Sequence, residues 1–366
     1  MSTSDAVAFL AAPALLSLGT VVSYVVNAGK VPLEAAWRPA LLPLAVPVLT
    51  LALTHTPRAL VWNGLTGTLL ALLAYGIVGF YTGVIGEPDQ HALGYFGIRY
   101  TASTRNADAL YFLLLFFHLI FFAKTVAARA VWIWTILTGM TTAAIVLSQS
   151  RATWLSLLVG LAVVLAGLAR DRLLHRGDVL RLFAIGCTAI LAILLADITV
   201  TSPTLPFDQP ATIKERLYKR MTVMRLENRE ENVPDRIKLL ELATRQIATH
   251  PLTGIGPGRV PAVVQDINLR AKTANHVENS FLQAWLDAGL LGFVGFTTLW
   301  GWLLLRHLAA DTPAKERIRD LCIKGLAAAF VIWATFNVLF DNLTFWVFLG
   351  LAAGCQVHRP RWSASA

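Results

Sequence analysis

The pentad Asn275-His276-Val277-Glu278-Asn279 sets a histidine two residues from a carboxylate, directly before a long apolar run. Histidine titrates in the range that suits a general base near neutral pH, and a nearby carboxylate can orient it or take its place. Asn279 and Glu278 also suit a helix start, where such residues satisfy free amides and the helix dipole. That backbone role does not account for His276. A second candidate is Arg151, within Ser148-Gln149-Ser150-Arg151-Ala152-Thr153-Trp154, which interrupts about 40 residues of otherwise apolar sequence. An arginine at the centre of a bilayer costs about 2.5–3.5 kcal/mol on insertion scales, so it has a partner or faces water. Arg151 can be a snorkelling turn residue, or an anion-binding group helped by the hydroxyls beside it. The sequence favours the second.

A third set is cationic. Arg236 and Arg245 fall on a helix expected from Pro234-Asp235 to Thr249, and are read as lying on similar faces. Arg216, Arg220, Arg225 and Arg229 precede them, with Arg216 and Arg220 on an expected amphipathic helix over 213–226. Each alone is explained as the solvated partner of Glu215, Glu227, Glu230, Glu231 or Glu241. As a group they form a wall suited to phosphate or an anionic glycolipid. Arg105 belongs to a smaller polar segment, 86–106, which also holds Glu87, Asp89, His91, Arg99 and Tyr100. Glu87-Pro88-Asp89 is a weak metal signal, and no metal or other cofactor is expected. The run Gly254-Ile255-Gly256-Pro257-Gly258 lacks the Gly-Lys-Ser/Thr ending of a phosphate loop. No Gly-x-Ser-x-Gly, His-Glu-x-x-His or Cys-x-x-Cys occurs. Asp287 and Asp341-Asn342 stand as unranked candidates for a cavity lining.

These residues must be positioned by a membrane scaffold. Of 366 residues, 56% are hydrophobic and 14% charged, and the mean hydropathy of +0.60 is far above that of a water-soluble domain. Apolar runs of about 18 or more residues predict spanning helices. They fall near 7–28, 37–54, 59–85, 107–123, 130–149, 152–169, 180–198, 280–305, 320–339 and 342–357. The expectation is an all-α integral membrane protein of about ten transmembrane helices, with 11–12 as the alternative. The first run lacks a basic n-region and is read as a retained helix. Three blocks result: 1–198 within the membrane, a large loop over 199–279 that is partly helical, and 280–366 within the membrane.

Orientation follows from the short loops. With both ends cytoplasmic, inner connections carry Arg58, Lys124, Arg129, Arg170, Arg172, Arg176, Arg181, Arg306, Lys315, Arg317 and Arg319, and outer ones far fewer. That imbalance puts the large loop outside the cytoplasm. Cys187, Cys322 and Cys355 all avoid the loop, so no disulfide framework is expected. The net charge of +9 divides between inner anchors and outer arginines, and the expected partners are a bilayer and an anionic lipid-linked substrate, not nucleic acid.

Several of these motifs, taken in order, resemble the O-antigen ligase and polymerase family. Ser148-Gln149-Ser150-Arg151-Ala152-Thr153-Trp154-Leu155 is similar to its serine-arginine motif. Arg236, followed by His250-Pro251-Leu252-Thr253-Gly254-Ile255-Gly256-Pro257-Gly258, resembles its loop arginine and His-Pro-Leu-x-Gly-x-Gly segment. His276 to Gln283, continuing to Gly289-Leu290-Leu291-Gly292, is similar to its histidine motif, and Asn106-Ala107-Asp108-Ala109 to its small-loop signal. The likeness spans roughly residues 95–350. Where the family often has His-x-His-Asn, this chain has His276-Val277-Glu278-Asn279, so the base is His276 or Glu278. Leu240 stands where the family has an aromatic residue, and the chain is read as two helices shorter.

The resemblance implies a glycosyltransferase of the bacterial inner membrane, acting at the periplasmic face on an undecaprenyl-pyrophosphate-linked glycan. It implies Arg151 and Arg236 as pyrophosphate-binding residues, with Arg216, Arg220, Arg245 and Arg105 as further substrate contacts. The ligase reaction, with lipid A–core as acceptor, is favoured over a polymerase or a protein O-oligosaccharyltransferase. A transporter for an anionic lipid or solute is the distant alternative, since no duplicated half is visible.

Overall fold

The computed structural model describes residues 7–27, 33–53, 58–82, 105–125, 130–148, 150–199, 232–264, 276–305, 312–337, 345–347 and 349–351. Every regular element among them is helical. We label the α-helices α1 (Ala12–Val26, entered through a π-turn at Val7–Ala11), α2 (Leu33–Leu41), α3 (Ala45–Ala52), α4 (Arg58–Thr82), α5 (Arg105–Thr125) and α6 (Val131–Leu147). They continue as α7 (Arg151–Arg170), α8 (Arg176–Thr199), α9 (Asn232–Thr249), α10 (Val260–Val264), α11 (Ser280–Leu305) and α12 (Ala314–Ala334). Five segments have the length and composition to cross a membrane: Ala8–Val26, Ala35–Ala52, Arg151–Arg170, Arg176–Leu195 and Ser280–Leu305. Shorter apolar helices cover Asn63–Tyr75, Ala109–Thr125 and Val131–Leu147, overlapping other runs where the sequence predicts spans. Glu87, Asp89, the expected helix at 213–226, Arg216 and Arg220 lie outside the described residues.

Large apolar side chains point outward on several of these helices: Leu18, Val21, Val25 and Val26 on α1, Trp132, Ile133 and Ile136 on α6, and Phe183, Ile190, Leu191 and Leu194 on α8. A water-soluble protein seldom leaves such surfaces bare, whereas lipid solvates them. With the apolar spans, they make this a multi-pass membrane protein.

The chain forms two compact units. The first takes Met1–Trp62, Glu230–Arg306 and Ala334–Ala366. Its centre is the packing of α1 on α11, where small residues let two backbones meet: a Cβ on Gly19 would sit 2.9 Å from Gly292 N. The second takes Asn63–Arg229 and His307–Trp333. Here α5 is buried nearly all round from Ala109 to Phe121, the mark of a central helix. Gly160 of α7 and Gly325 of α12 meet backbone to backbone.

Two helices of the second unit begin earlier than hydropathy predicts, each for an electrostatic reason. The run expected at 180–198 starts at Arg176. Asp178, at the third helical position, accepts the His175 amide (2.8 Å) and is held by Lys124 (2.6 Å) and Arg181 (3.0 Å). The run expected at 320–339 starts at Ala314 and ends at Ala334. Its charged opening is internally paired, Arg319 with Glu316 (2.9 Å) and Lys324 with Asp320 (2.9 Å). An apolar window cannot register such turns.

Candidate functional site

The first unit assembles its polar residues at the head of α11. Asn279 caps the helix: its Oδ1 accepts the amides of Phe281 (3.0 Å) and Leu282 (3.1 Å). Its Nδ2 donates to Thr335 O (3.3 Å), and Ser280 Oγ donates to Asn337 O (2.7 Å). The cap is therefore pinned to the chain just past α12. On the other side Val277 is buried, and its amide donates to Gln283 Oε1 (2.9 Å). Between these two anchors Glu278 adopts a left-handed backbone, φ 52°, which costs an L-residue about 1–2 kcal/mol. Its side chain is thrown toward α9, where Oε2 meets Arg236 Nε at 2.6 Å. His276 is half-buried, with Nδ1 shielded from solvent.

Helix α9 explains why Arg236 arrives there. Leu239, Ala243 and Ile247, at intervals of four, form its buried face and pack with Ile255, Val260, Val264, Val277 and Leu286. Arg236 lies one turn before Leu239, at the margin of that face. Arg245 does not share its side, contrary to the expectation from sequence: nine residues advance an α-helix by two and a half turns. Arg245 is exposed and leaves the opposite side of α9 from Arg236.

The glycine-rich turn after α9 has a mechanical role. At Gly289 (φ 63°, ψ −160°) α11 is broken, which removes the bond that Leu290 N would give to Leu286 O in a continuous helix. The turn supplies both orphans. Leu286 O accepts Ile255 N (2.8 Å) and Gly256 N (3.3 Å), and Leu290 N donates to Leu252 O (3.2 Å). Trp285 Nε1 adds a bond to Pro251 O (2.8 Å). The approach is close enough that a Cβ on Gly254 (φ 66°) would lie 2.7 Å from Trp285 O, and one on Gly289 would lie 2.6 Å from the Leu252 carbonyl carbon. The segment His250–Gly258 is thus a clamp that seats α9 on α11.

Arg151 belongs to the second unit and is the first residue of α7. The break before it is built from buried hydroxyls. Ser148 Oγ donates to Ile145 O (2.6 Å), and Thr153 Oγ1 to Ser150 Oγ (2.9 Å). Trp154 Nε1 donates to Ile145 O (3.1 Å). Ser150, in the cap position with an extended backbone, makes no side-chain cap bond to the amides of the first turn. A half-buried guanidinium therefore stands at the positive end of a 20-residue helix whose first amides have no side-chain cap, a combination suited to an anion. Arg105 begins α5.

Sequence reasoning missed Gln283, buried in α11, which spans from Val277 N to Asp287 Oδ1 (2.8 Å). The available signal was a Gln–Asp pair four residues apart in an apolar helix, polar groups that a membrane retains only for cause. Among the described residues no group of His, Cys, Asp and Glu is placed to hold a metal ion.

Residues 136–297 match the family model described as O-antigen ligase. The match runs from α6 into α11 and takes in Arg151, Arg236, the clamp, His276 and Glu278, so this stretch is similar to the O-antigen ligase family, whose members are membrane glycosyltransferases of the ligase and polymerase type. No curated protein matches the chain.

Proposed function

We propose that the protein is an O-antigen ligase, moving a glycan from undecaprenyl pyrophosphate to a sugar hydroxyl of lipid A–core at the periplasmic face of the inner membrane. The observation that carries this reading is the Arg236–Glu278 pair beside His276, inside the segment that matches the family. Both partners are about half exposed, 52% and 45%. Such pairs are worth only about 0.2–1 kcal/mol, while hydrogen bonds to charged groups contribute about 1.5–3 kcal/mol each. A pyrophosphate can therefore take the Arg236 fork from Glu278. Arg236 is resting-state partner to Glu278 and donor ligand in turn.

His276 is assigned as the base, acting through Nε2 because Nδ1 is enclosed. It takes the proton of the acceptor hydroxyl, whose oxygen attacks the anomeric carbon from the face opposite the leaving group. The bond from that carbon to the pyrophosphate oxygen breaks, its electron pair stays on undecaprenyl pyrophosphate, and the configuration inverts. Arg151 and Arg236 are each assigned to phosphate on their own surroundings, and guanidinium groups supply the stabilisation without a metal. Glu278 holds Arg236 in reach and is the second candidate for the base. Arg216, Arg220, Arg245 and Arg105 remain proposals as outer substrate contacts, with Arg245 the least favoured by its place on α9.

The test is complementation of a bacterium lacking its own ligase. Restored O-chains on lipid A–core support the reading, and Arg151→Ala and His276→Ala should each abolish them while the protein still inserts. Bare core with wild-type protein present refutes the ligase assignment, and a change only in lipid-linked polymer length would reassign the chain as a polymerase.

A further inference from the structure

We infer that Gln283 and Asp287 form a buried relay that sets the reactive geometry of the His276–Glu278 segment, making Gln283 a positioning residue for transfer. The inference rests on the proposed reading of His276 and Glu278.

Both ends of the Gln283 amide are used. Oε1 accepts the Val277 amide at 2.9 Å, and Nε2 donates to Asp287 Oδ1 at 2.8 Å. All three residues are enclosed: Gln283 is 1% exposed, Val277 3% and Asp287 6%. An amide side chain can present its oxygen or its nitrogen to either neighbour. A carboxylate only accepts, so Asp287 forces the nitrogen toward itself and the oxygen toward Val277. Asp287 thereby fixes which way Gln283 faces, and Gln283 fixes the backbone of the residue lying between His276 and Glu278.

That backbone needs fixing. Glu278 is held in the left-handed region, a conformation that persists only where its surroundings over-determine it. The Asn279 cap secures the following residue and Arg236 the side chain. Gln283 secures the residue before. Without its acceptor, the Val277 amide is a buried donor with no bond, and the segment can relax by turning Glu278 out of the left-handed region. His276 and Glu278 would then move together, although neither is altered. The Gln283 side chain bonds Val277 and Asp287, so it acts on His276 and Glu278 through this backbone.

The test is a double-mutant cycle in the full-length protein reconstituted in lipid nanodiscs. Gln283→Glu keeps an acceptor for Val277 but sets a second carboxylate against Asp287. Adding Asp287→Asn restores a donor, because the Asn amide can bond the introduced Glu. Asp287→Asn alone completes the cycle. Two readouts are taken: transfer kinetics with a polyprenyl-pyrophosphate glycan, and hydrogen–deuterium exchange of the peptide covering 276–282. Gln283→Glu is expected to lower kcat at least tenfold with KM within about twofold, and to speed exchange in that peptide. The double variant should recover kcat to within threefold of wild type and restore protection, giving a coupling of at least about threefold. A double variant no better than Gln283→Glu, or a Gln283→Glu protein that matches wild type, overturns the inference. Should Gln283→Glu fail to fold, Gln283→Met fills the space without the amide: lost kcat with faster exchange supports the relay, and unchanged values refute it. If wild type transfers no glycan at all, the ligase reading has failed, while the exchange cycle still decides whether Gln283 holds the segment.

Discussion

Replacing Gly289 with alanine tests whether the clamp between His250–Gly258 and α11 holds this part of the molecule together. The variant has two routes open to it. If the break persists, alanine must adopt φ 63° with ψ −160°, a region kept almost wholly for glycine, at about 1–3 kcal/mol, and its Cβ presses on the Leu252 carbonyl group, 2.6 Å from the carbon. The turn must then lift away. If α11 instead straightens, Leu290 N regains Leu286 O, but Ile255, Gly256 and Leu252 lose their bonds to α11. Three bonds become one, at a net cost of about 0.5–1.5 kcal/mol for each bond lost. The Trp285 bond to Pro251 and part of the Ile255 packing go with them. Either route costs about 2–4 kcal/mol. Unfolding in detergent should show that loss, and limited proteolysis should show new cleavage in residues 250–258. Transfer activity should fall because α9 brings Arg236 to Glu278 only while it is seated. A Gly289→Ala protein within about 0.5 kcal/mol of wild type, equally resistant to protease, would refute the clamp.

Other consequences are simpler to check. Ile247→Ala, in the core beneath α9, should cost about 2–4 kcal/mol in chemical unfolding, as for other buried truncations to alanine; a loss under 1 kcal/mol would mean that α9 is not packed there. Glu278→Gly removes a left-handed strain of about 1–2 kcal/mol and an exposed ion pair worth no more than about 1 kcal/mol. It should therefore be no less stable than wild type by more than about 0.5 kcal/mol, yet impaired in transfer; a 2 kcal/mol loss would show that the pair is structural. Asp178→Asn leaves Lys124, largely buried, and Arg181, partly buried, without their shared carboxylate. It should destabilise the second unit by about 2–4 kcal/mol, and an effect below 1 kcal/mol would show that water screens the pair.

Much of the architecture was legible because the bilayer imposes a simple rule. A run of apolar residues long enough to span cannot satisfy its backbone in lipid except as a helix. The runs at 152–169 and 280–305 became α7 and α11 within a residue of their expected limits. The end of α9 at Thr249 was legible for a different local reason, the His250-Pro251 stop. Asn279 announced itself as a cap because an amide oxygen before an apolar helix has one obvious use. Where charges are neutralised by pairing the reading failed, as at the early starts of α8, whose Asp178 meets the distant Lys124, and of α12, whose charges pair within the helix.

The site divides along the same line. Sequence alone selected His276, Glu278, Arg151 and Arg236, because charged and titratable residues are rare beside apolar runs and each had a motif around it. It also fixed, through helical period, that Arg236 and Arg245 cannot share a side, a consequence drawn only once α9 was seen. Tertiary structure decided that Glu278 pairs with Arg236, 42 positions earlier in the chain. It also decided that the glycines after α9 serve a broken helix. Gln283 acquired its meaning in the same way, from the two groups its amide joins. Hydrophobic periodicity is a property of neighbours along the chain. A carbonyl orphaned at Leu286 and the amides that satisfy it lie some 30 residues apart, and only the folded backbone brings them within hydrogen-bonding distance.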